Sequence, residues 1–170
     1  MTGNGRFLFG CAVAMTLVLA FGAAPAAAQQ TCNGQTVTIL GTSGSDNIYG
    51  TSAADVIAGG GGSDWFFAGA GDDSVCGNNL GDIFYGDGGA DYIGGLGGND
   101  LINGISGNDL IAGHDGSDEV YGGDGNDEIY GGTDGDLNLN GGAGTDIVNG
   151  REGFDFCSQG ETYVSCEVIN

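Results

Sequence analysis

Apolar residues recur along this chain at intervals of nine, each two positions after an aspartate and each preceded by a glycine-rich stretch. Glycine tolerates positive φ and favours turns, whereas three residues with one inward apolar side chain are typical of a short strand. The pattern therefore predicts a six-residue turn and a three-residue strand in every repeat. The predicted core column consists of Ile48, Ile57, Phe66, Val75, Phe84, Ile93, Ile102, Ile111, Val120 and Ile129.

An aspartate closes every predicted turn. Eleven of these aspartates are nine residues apart, and two more follow after one inserted residue, which the spacing places near Asn140. The insertion predicts a bulge, with polar Asn138 in the core column. The thirteen aspartates are Asp46, Asp55, Asp64, Asp73, Asp82, Asp91, Asp100, Asp109, Asp118, Asp127, Asp136, Asp146 and Asp155.

A strand of three residues is not stable alone, so the repeats must stack on one another as they do in solenoids. The composition supports a regular repeat, because the chain has 39 glycines but only one proline, and glycine does not occupy every third position as it does in collagen. The chain has two Arg and no Lys against 23 carboxylates, which gives a formal net charge of −21. This charge excludes ordinary nucleic-acid binding and adsorption to anionic membranes.

The segment Gly122-Gly-Asp-Gly-Asn-Asp127 shows the complete turn, and the chain from 41 to 158 resembles the hemolysin-type calcium-binding repeat, or RTX nonapeptide. The resemblance implies an all-β parallel β-roll with two repeats per coil and Ca²⁺ between neighbouring turns on the same edge. All thirteen aspartates would then be metal ligands, and glycine carbonyls would supply further oxygens. Both ligand types suit a hard cation, and such a flexible cage favours calcium over magnesium.

A two-repeat coil predicts an 18-residue period, and the residue three after each aspartate shows it. Alternate repeats carry Tyr49, Phe67, Tyr85, Asn103 and Tyr121, whereas the others carry Ala58, Cys76, Gly94, Ala112 and Tyr130. One outer sheet face is therefore expected to be aromatic, with Trp65 adding to it. Such a face either stabilises the sheet as a ladder or serves self-association or glycan binding.

The aspartates fall into two columns, one along each edge of the roll. Like charges stacked this closely repel, and the chain offers almost no basic residue to offset them. We therefore expect the chain to be largely unfolded without calcium and to fold when calcium binds. About ten to eleven gaps between stacked turns are available for ions. The turns without glycine two before the aspartate, 50–55, 77–82 and 131–136, are expected to bind less well. The alternative is that the aspartates only cap turns.

Residues 1–28 are typical of a secretory signal peptide, with Arg6, an apolar run, and small residues that predict cleavage after Ala28. A membrane anchor is the competing interpretation, but no cationic stop follows the run. The protein is therefore expected to be secreted from a bacterium by the N-terminal route, without membrane insertion after cleavage. In that oxidising destination two disulfides are expected among the four cysteines that remain, Cys32, Cys76, Cys157 and Cys166.

Caps are expected at residues 29–40 and 159–170. A first strand at Val37–Leu40 places Leu40 in the outward column of Cys76, within reach of a Cys32–Cys76 bridge. At the other end, Phe156–Cys157 is expected to pair with the segment from Val164 across a turn at 158–161, which favours Cys157–Cys166.

Three functions remain for comparison. The first is a secreted calcium-binding solenoid. The second is a calcium-dependent adhesion or carbohydrate-binding module that uses Tyr49, Phe67, Tyr85 and Trp65. The third is an enzyme, which is disfavoured because His114 is the only histidine and every prominent aspartate already has a place in the repeat. We predict a protein that is not an enzyme.

Overall fold

The structure is a computed structural model that describes residues 30–159, 162–164 and 166–168. The predicted signal peptide, 1–28, lies outside the described residues. The described chain is all-β and forms a solenoid of two parallel sheets, as the repeat pattern predicts. No helix among these residues has the length and apolar character needed to cross a membrane.

The described part of the chain begins with a small antiparallel hairpin and then alternates between two eight-stranded parallel sheets. The hairpin strands are β1 (Thr31–Cys32) and β2 (Gln35–Thr36). The first sheet contains β4 (Asn47–Tyr49), β6 (Trp65–Phe67), β8 (Ile83–Tyr85), β10 (Leu101–Ser106), β12 (Glu119–Asp124), β14 (Asn138–Ala143), β16 (Phe156–Ser158) and β18 (Glu167–Val168). The second sheet contains β3 (Ile39–Leu40), β5 (Val56–Ala58), β7 (Ser74–Asn78), β9 (Tyr92–Gly97), β11 (Leu110–Asp115), β13 (Glu128–Thr133), β15 (Ile147–Arg151) and β17 (Thr162–Val164).

Each coil contains two repeats, so neighbouring strands of one sheet are 18 residues apart. Leu101 pairs with Ile83 on one side and with Glu119 on the other. The prediction of two repeats per coil is thereby confirmed. Tyr49, Phe67 and Tyr85 are paired on the first sheet, and Ala58 is paired with Cys76 on the second.

The predicted apolar column is the core. Its residues are buried and continue through Leu139, Val148 and Cys157 in one contiguous cluster. Phe66 and Phe84 stack inside it with ring centroids 4.6 Å apart. Burying one Val, Ile or Phe side chain contributes about 1.5–3 kcal/mol, so no single coil has enough apolar surface to fold alone, and the column is stabilised by stacking.

The inserted residue is Leu137, so the predictions that it lies near Asn140 and that Asn138 enters the core are both wrong. Asn138 pairs with Glu119 and Leu139 with Val120, which puts Leu139 in the buried column. Leu137 is displaced outward and is 62% exposed. The predicted bulge exists, and its position follows from the cost of burying the amide of Asn138 without hydrogen-bond partners.

The outer face of the first sheet carries a short aromatic ladder. The rings of Tyr49 and Phe67 stack at 5.0 Å, and those of Phe67 and Tyr85 at 5.3 Å. Each such pair contributes about 0.5–1.5 kcal/mol beyond burial, so the ladder ties three successive coils together.

Both ends of the solenoid carry a disulfide, and the pairings are the two favoured from the sequence. Cys32 is bonded to Cys76, and Cys157 to Cys166. Ile39 packs against the core as expected. The C-terminal segment differs from the expected pairing across a turn, because β17 and β18 pair in parallel with β15 and β16. The chain after 158 continues the coil, because that path gives the last full strands a hydrogen-bonded neighbour.

Candidate metal sites at the turns

The structure brings the thirteen predicted aspartates together in two columns at the ends of the turns. Eleven of them are buried, and only Asp46 and Asp55 are partly exposed. The first edge carries Asp46, Asp64, Asp82, Asp100, Asp118, Asp136 and Asp155, and the second edge carries Asp55, Asp73, Asp91, Asp109, Asp127 and Asp146.

One carboxylate oxygen of every turn aspartate except Asp46 and Asp55 connects successive coils. The backbone N–H of Asp82 donates to Oδ1 of Asp100 at 2.8 Å, and that of Asp100 donates to Oδ1 of Asp118 at 2.9 Å. The same bond recurs along both edges, including the 19-residue steps at the bulge. Each of these eleven carboxylates is therefore held in a fixed position by the preceding coil.

The other carboxylate oxygen is buried without a hydrogen-bond donor in most turns. Within the part of the chain that the structure describes, this is true of Oδ2 of Asp73, Asp91, Asp100, Asp109, Asp118, Asp127, Asp136 and Asp146. A buried anionic oxygen without a partner is costly. A bound cation offsets that cost, so these eight atoms fit the ligands of a metal.

Backbone oxygens lie close to the same carboxylates. A Cβ added to Gly86 would lie 2.6 Å from Oδ2 of Asp91 and 2.7 Å from the carbonyl oxygen of Gly104, one coil later. A Cβ on Gly104 or Gly113 would meet the carbonyl oxygens of Gly122 or Gly131 at 2.6 and 2.8 Å. The first glycine of the turn thus leaves room for a carboxylate and a carbonyl to approach one point.

The side chains alone do not form a metal cluster. Nowhere in the described ranges do three His, Cys, Asp or Glu side chains converge on a common point. A cation held here would take one carboxylate from a turn and the rest of its ligands from backbone carbonyls, which is a ligand set suited to Ca²⁺.

Backbone conformation divides the turns into two kinds. In ten turns, the second and fourth residues both have left-handed φ, and we call these the left-handed turns. They are 59–64, 68–73, 86–91, 95–100, 104–109, 113–118, 122–127, 131–136, 141–146 and 150–155. The turns 41–46, 50–55 and 77–82 lack left-handed φ at these described positions. We call them the self-bonded turns, because Thr42, Thr51 and Asn78 donate their backbone N–H to Oδ2 of the aspartate in the same turn.

This division changes the sequence-based list of weaker turns. Turns 50–55 and 77–82 also differ from the others in backbone conformation, whereas 131–136 is left-handed because Asp134 adopts a φ of 69° at the fourth position. Turn 41–46 is self-bonded although it has Gly44. The missed signal is the second residue of the turn, where Thr or Asn provides a local hydrogen bond to the aspartate.

A family model gives the comparison that decides the identity of the repeats. The model of the RTX calcium-binding nonapeptide repeat matches in four copies, at residues 40–75, 77–111, 103–137 and 138–157. The chain belongs to the RTX calcium-binding nonapeptide repeat family. Its RTX repeats span both edges, and the resemblance inferred from the sequence is confirmed. No curated protein and no solved structure gives a significant match to the chain.

Burial sets the charge state of the aspartates in the metal-free RTX fold. It raises the pKa of Asp100 to about 8, of Asp91 and Asp136 to about 7, and of Asp118 to about 6. The backbone N–H from the preceding coil lowers each pKa, and neighbouring aspartates raise it. Burial outweighs the hydrogen bond, so the anionic form is disfavoured without a cation.

Acidification is therefore expected to stabilise the metal-free protein. The pKa values above lie higher than the ordinary 3.8, so the folded chain binds more protons than the unfolded one and its free energy of unfolding falls as pH rises through about 6 to 8. In chelator, the far-UV circular dichroism of strands should increase between about pH 7.5 and pH 5. Calcium-saturated protein is the control and should show the opposite trend, because protons compete with the ion. A chelated protein whose strand signal falls over this range contradicts the prediction.

The only histidine, His114, is the second residue of turn 113–118. His114 borders a cavity of about 520 Å³ on the outer face of the second sheet, beside Tyr130 and Arg151. The Arg151 guanidinium lies 4.3 Å from the Tyr130 ring centroid. Among the described residues, no Ser hydroxyl or carboxylate is hydrogen-bonded to His114, so the structure does not assemble a Ser-His-Asp triad around it. That the protein is not an enzyme stays a prediction.

Proposed function

We propose that this chain is a secreted protein that binds several Ca²⁺ ions between stacked left-handed turns and folds as it binds them. The observation that carries the proposal is the set of eight buried Oδ2 atoms without donors. Each of them lies in a left-handed turn whose neighbours on the same edge supply carbonyl oxygens. The thirteen aspartates therefore do not contribute equally.

The proposed number of sites follows from the stacking of left-handed turns. If an ion needs such a turn on both sides, the first edge offers three neighbouring pairs, from 95–100 to 150–155. The second edge offers four pairs, from 68–73 to 141–146. We therefore propose about seven ions per chain, fewer than the ten to eleven gaps counted from the sequence.

Folding on binding follows from the same geometry. The strands are two to six residues long, and the stacked aspartates have almost no basic residue to offset their charge, since Arg151 is the only Lys or Arg beyond residue 28. The metal-free fold must bury these carboxylates, whereas the unfolded chain leaves them hydrated. The free energy of calcium binding then becomes free energy of folding.

Export is supported by the cysteines. Two disulfides occur in the structure, and disulfides persist in oxidising compartments. Together with the expected signal peptide at 1–28, they favour an extracellular protein, where individually weak calcium sites suffice.

Replacing one central aspartate tests the proposal. Asp118 contributes to two of the proposed pairs, so Asp118→Asn is expected to lower the number of bound ions by about two and to weaken the remaining sites. Asn keeps the shape and one oxygen but removes the charge that Ca²⁺ requires. Equilibrium dialysis with radioactive calcium, on the oxidised protein, measures the stoichiometry.

Asp46→Asn is the matched control. Asp46 lies in a self-bonded turn, where the N–H and Oγ1 of Thr42 donate to its Oδ2 at 2.7 and 2.8 Å. This variant should bind as many ions as the unchanged protein. Equal losses in both variants would refute the role of the left-handed turns, and the absence of any calcium binding would refute the proposed function.

A glycan-binding or adhesive function through Tyr49, Phe67, Tyr85 and Trp65 has weaker support. Tyr49 is 63% exposed and Trp65 is 45% exposed. However, the rings of Tyr49, Phe67 and Tyr85 are nearly parallel, with interplanar angles of 9° and 12°, so their faces contact one another. Sugar stacking needs free ring faces, and the ladder is explained by strand stabilisation. We do not advance it as a second function.

A further inference from the structure

We infer that the first coils of the solenoid, residues 30 to about 85, fold without calcium and form the template on which the remaining coils fold when the ion binds. The inference rests on the proposed function, because it assigns the calcium-dependent step to only part of the chain. The three self-bonded turns all lie in this segment, and beyond residue 85 every turn is left-handed.

Two threonines supply in their own turns the contacts that the left-handed turns lack. The N–H and Oγ1 of Thr51 both donate to Oδ2 of Asp55, at 2.7 and 2.8 Å. Thr42 makes the same pair of bonds to Asp46 at the same distances. Oδ2 of both aspartates is thus satisfied by protein donors, and a cation is not needed to stabilise it.

Asn78 likewise donates hydrogen bonds to aspartate carboxylates, and it does so between two coils. Its Nδ2 lies 2.8 Å from the carbonyl oxygen of Gly62, 3.2 Å from Oδ2 of Asp64 and 3.1 Å from Oδ2 of Asp82. One amide group thus contacts a backbone carbonyl and two carboxylates that belong to neighbouring turns of the first edge. This is the combination of ligands expected for an ion between two turns, and the amide nitrogen takes its position.

The backbone conformation of the self-bonded turns is consistent with these side-chain hydrogen bonds. The second and fourth residues of turn 77–82 are Asn78 and Leu80, and the N–H of Leu80 donates to Oδ1 of Asn78 at 3.0 Å. In turn 50–55, the N–H of Ala53 donates to Oγ1 of Thr51 at 3.2 Å. Both turns are thus closed by local side-chain bonds and do not adopt the conformation of the left-handed turns.

Other stabilising contacts concentrate in the same segment. The Cys32–Cys76 disulfide spans 44 residues, and a bridge of that length removes conformational entropy from the unfolded chain. Phe66 and Phe84 stack in the core, and the ladder of Tyr49, Phe67 and Tyr85 joins three coils outside it. Beyond residue 85, the rings of Phe154 and Phe156 meet edge to face, at an interplanar angle of 81°.

A folded first segment prepares the next coil. The backbone N–H groups of Asp73 and Asp82 are the donors to Oδ1 of Asp91 and Asp100, which close the first turns outside the segment. These N–H groups are already oriented when the Asp91 and Asp100 carboxylates pack against them. Each new coil then needs only its own calcium ions in order to fold. Folding is then expected to proceed from the first coils towards the C-terminus.

Hydrogen exchange followed by mass spectrometry tests the inference on the full oxidised chain in chelator. We expect backbone amides of β5 to β8 to exchange at least about tenfold more slowly than those of β10 to β15, and calcium to slow the second group. Exchange that is equally fast in both groups in chelator, together with protection of both by calcium, overturns the inference but leaves the proposed function intact.

A paired substitution provides the second test. Asn78→Gly with Leu80→Gly restores glycine at the two positions that are left-handed elsewhere. The variant should lose protection of β5 to β8 in chelator and should bind about two more ions, since turn 77–82 gains a left-handed neighbour on each side. Asn79→Gly is the matched control, because position 79 tolerates glycine without any change of turn type, as Gly61 and Gly88 do in their turns.

Thr42→Gly is a milder variant in case the double substitution prevents folding. Turn 41–46 already has Gly44, so this single change should add about one ion through the neighbouring turn 59–64. If neither variant raises the stoichiometry above that of the unchanged protein, the assignment of Asn78 and Thr42 is wrong. If no variant and no unchanged protein binds calcium, the proposed function itself fails.

Discussion

Chelation of calcium is expected to remove most of the strand signal in the far-UV circular dichroism spectrum, leaving the part that belongs to the first coils. The physical reason is that the coils after residue 85 bury carboxylates that only a cation satisfies. Adding Ca²⁺ back to millimolar concentration should restore the signal cooperatively, because each coil supplies the edge on which the next one forms.

Magnesium is the control for this experiment. Mg²⁺ requires compact octahedral geometry and retains its water, so it should restore little of the signal at the same concentration. If the chelated protein keeps its full strand signal and calcium changes nothing, the aspartates stabilise turns without metal and the proposed function is wrong.

Alanine at Gly89 is expected to destabilise the folded protein strongly. Gly89 has a φ of +132°, and a Cβ there would lie 2.5 Å from the backbone carbon of Gly71 and also clash with the oxygen of that residue. Backbone atoms of the preceding coil cannot move aside without breaking the stack. The strain of the backbone conformation alone costs about 1–3 kcal/mol, and the clash adds to it.

Gly88→Ala is the matched control one residue away. A Cβ on Gly88 would meet only Oγ of Ser106, at 3.4 Å, and Gly88 pairs with Ala70 and Ser106 in the neighbouring coils. The midpoint of urea unfolding in saturating calcium should fall clearly for Gly89→Ala and change little for Gly88→Ala. Equal midpoints would show that the turns of successive coils are not packed as described.

The sequence predicts the fold closely because one apolar residue per repeat decides which side of the chain faces inward. Ile57, Phe66 and Val75 could not be buried together in any other register than the one their spacing predicts. The outward residues indicate that each coil contains two repeats, since the aromatic and small positions alternate with a period of two repeats. The disulfide between Cys32 and Cys76 follows from that register.

The departures have local causes that spacing does not reveal. A count of positions puts Asn138 in the core, whereas the energetic preference for Leu139 moves the extra residue to Leu137. The turns are similar: the glycine pattern predicts weaker sites at 50–55, 77–82 and 131–136, but it does not reveal the hydrogen bonds by which Thr42 and Asn78 compete for the carboxylates in their own turns.

The alternation of strands between two sheets also limits how such a gene can change its length. Deleting or duplicating 18 residues removes or adds one coil and keeps every later residue on its own sheet, as the pairing of Leu101 with Ile83 and Glu119 requires. A change of nine residues transfers all later outward side chains to the opposite face, and between Cys32 and Cys76 it would separate the disulfide partners. Leu137 shows that a single extra residue is absorbed locally. Viable length variants of this protein are therefore expected to differ by whole pairs of repeats.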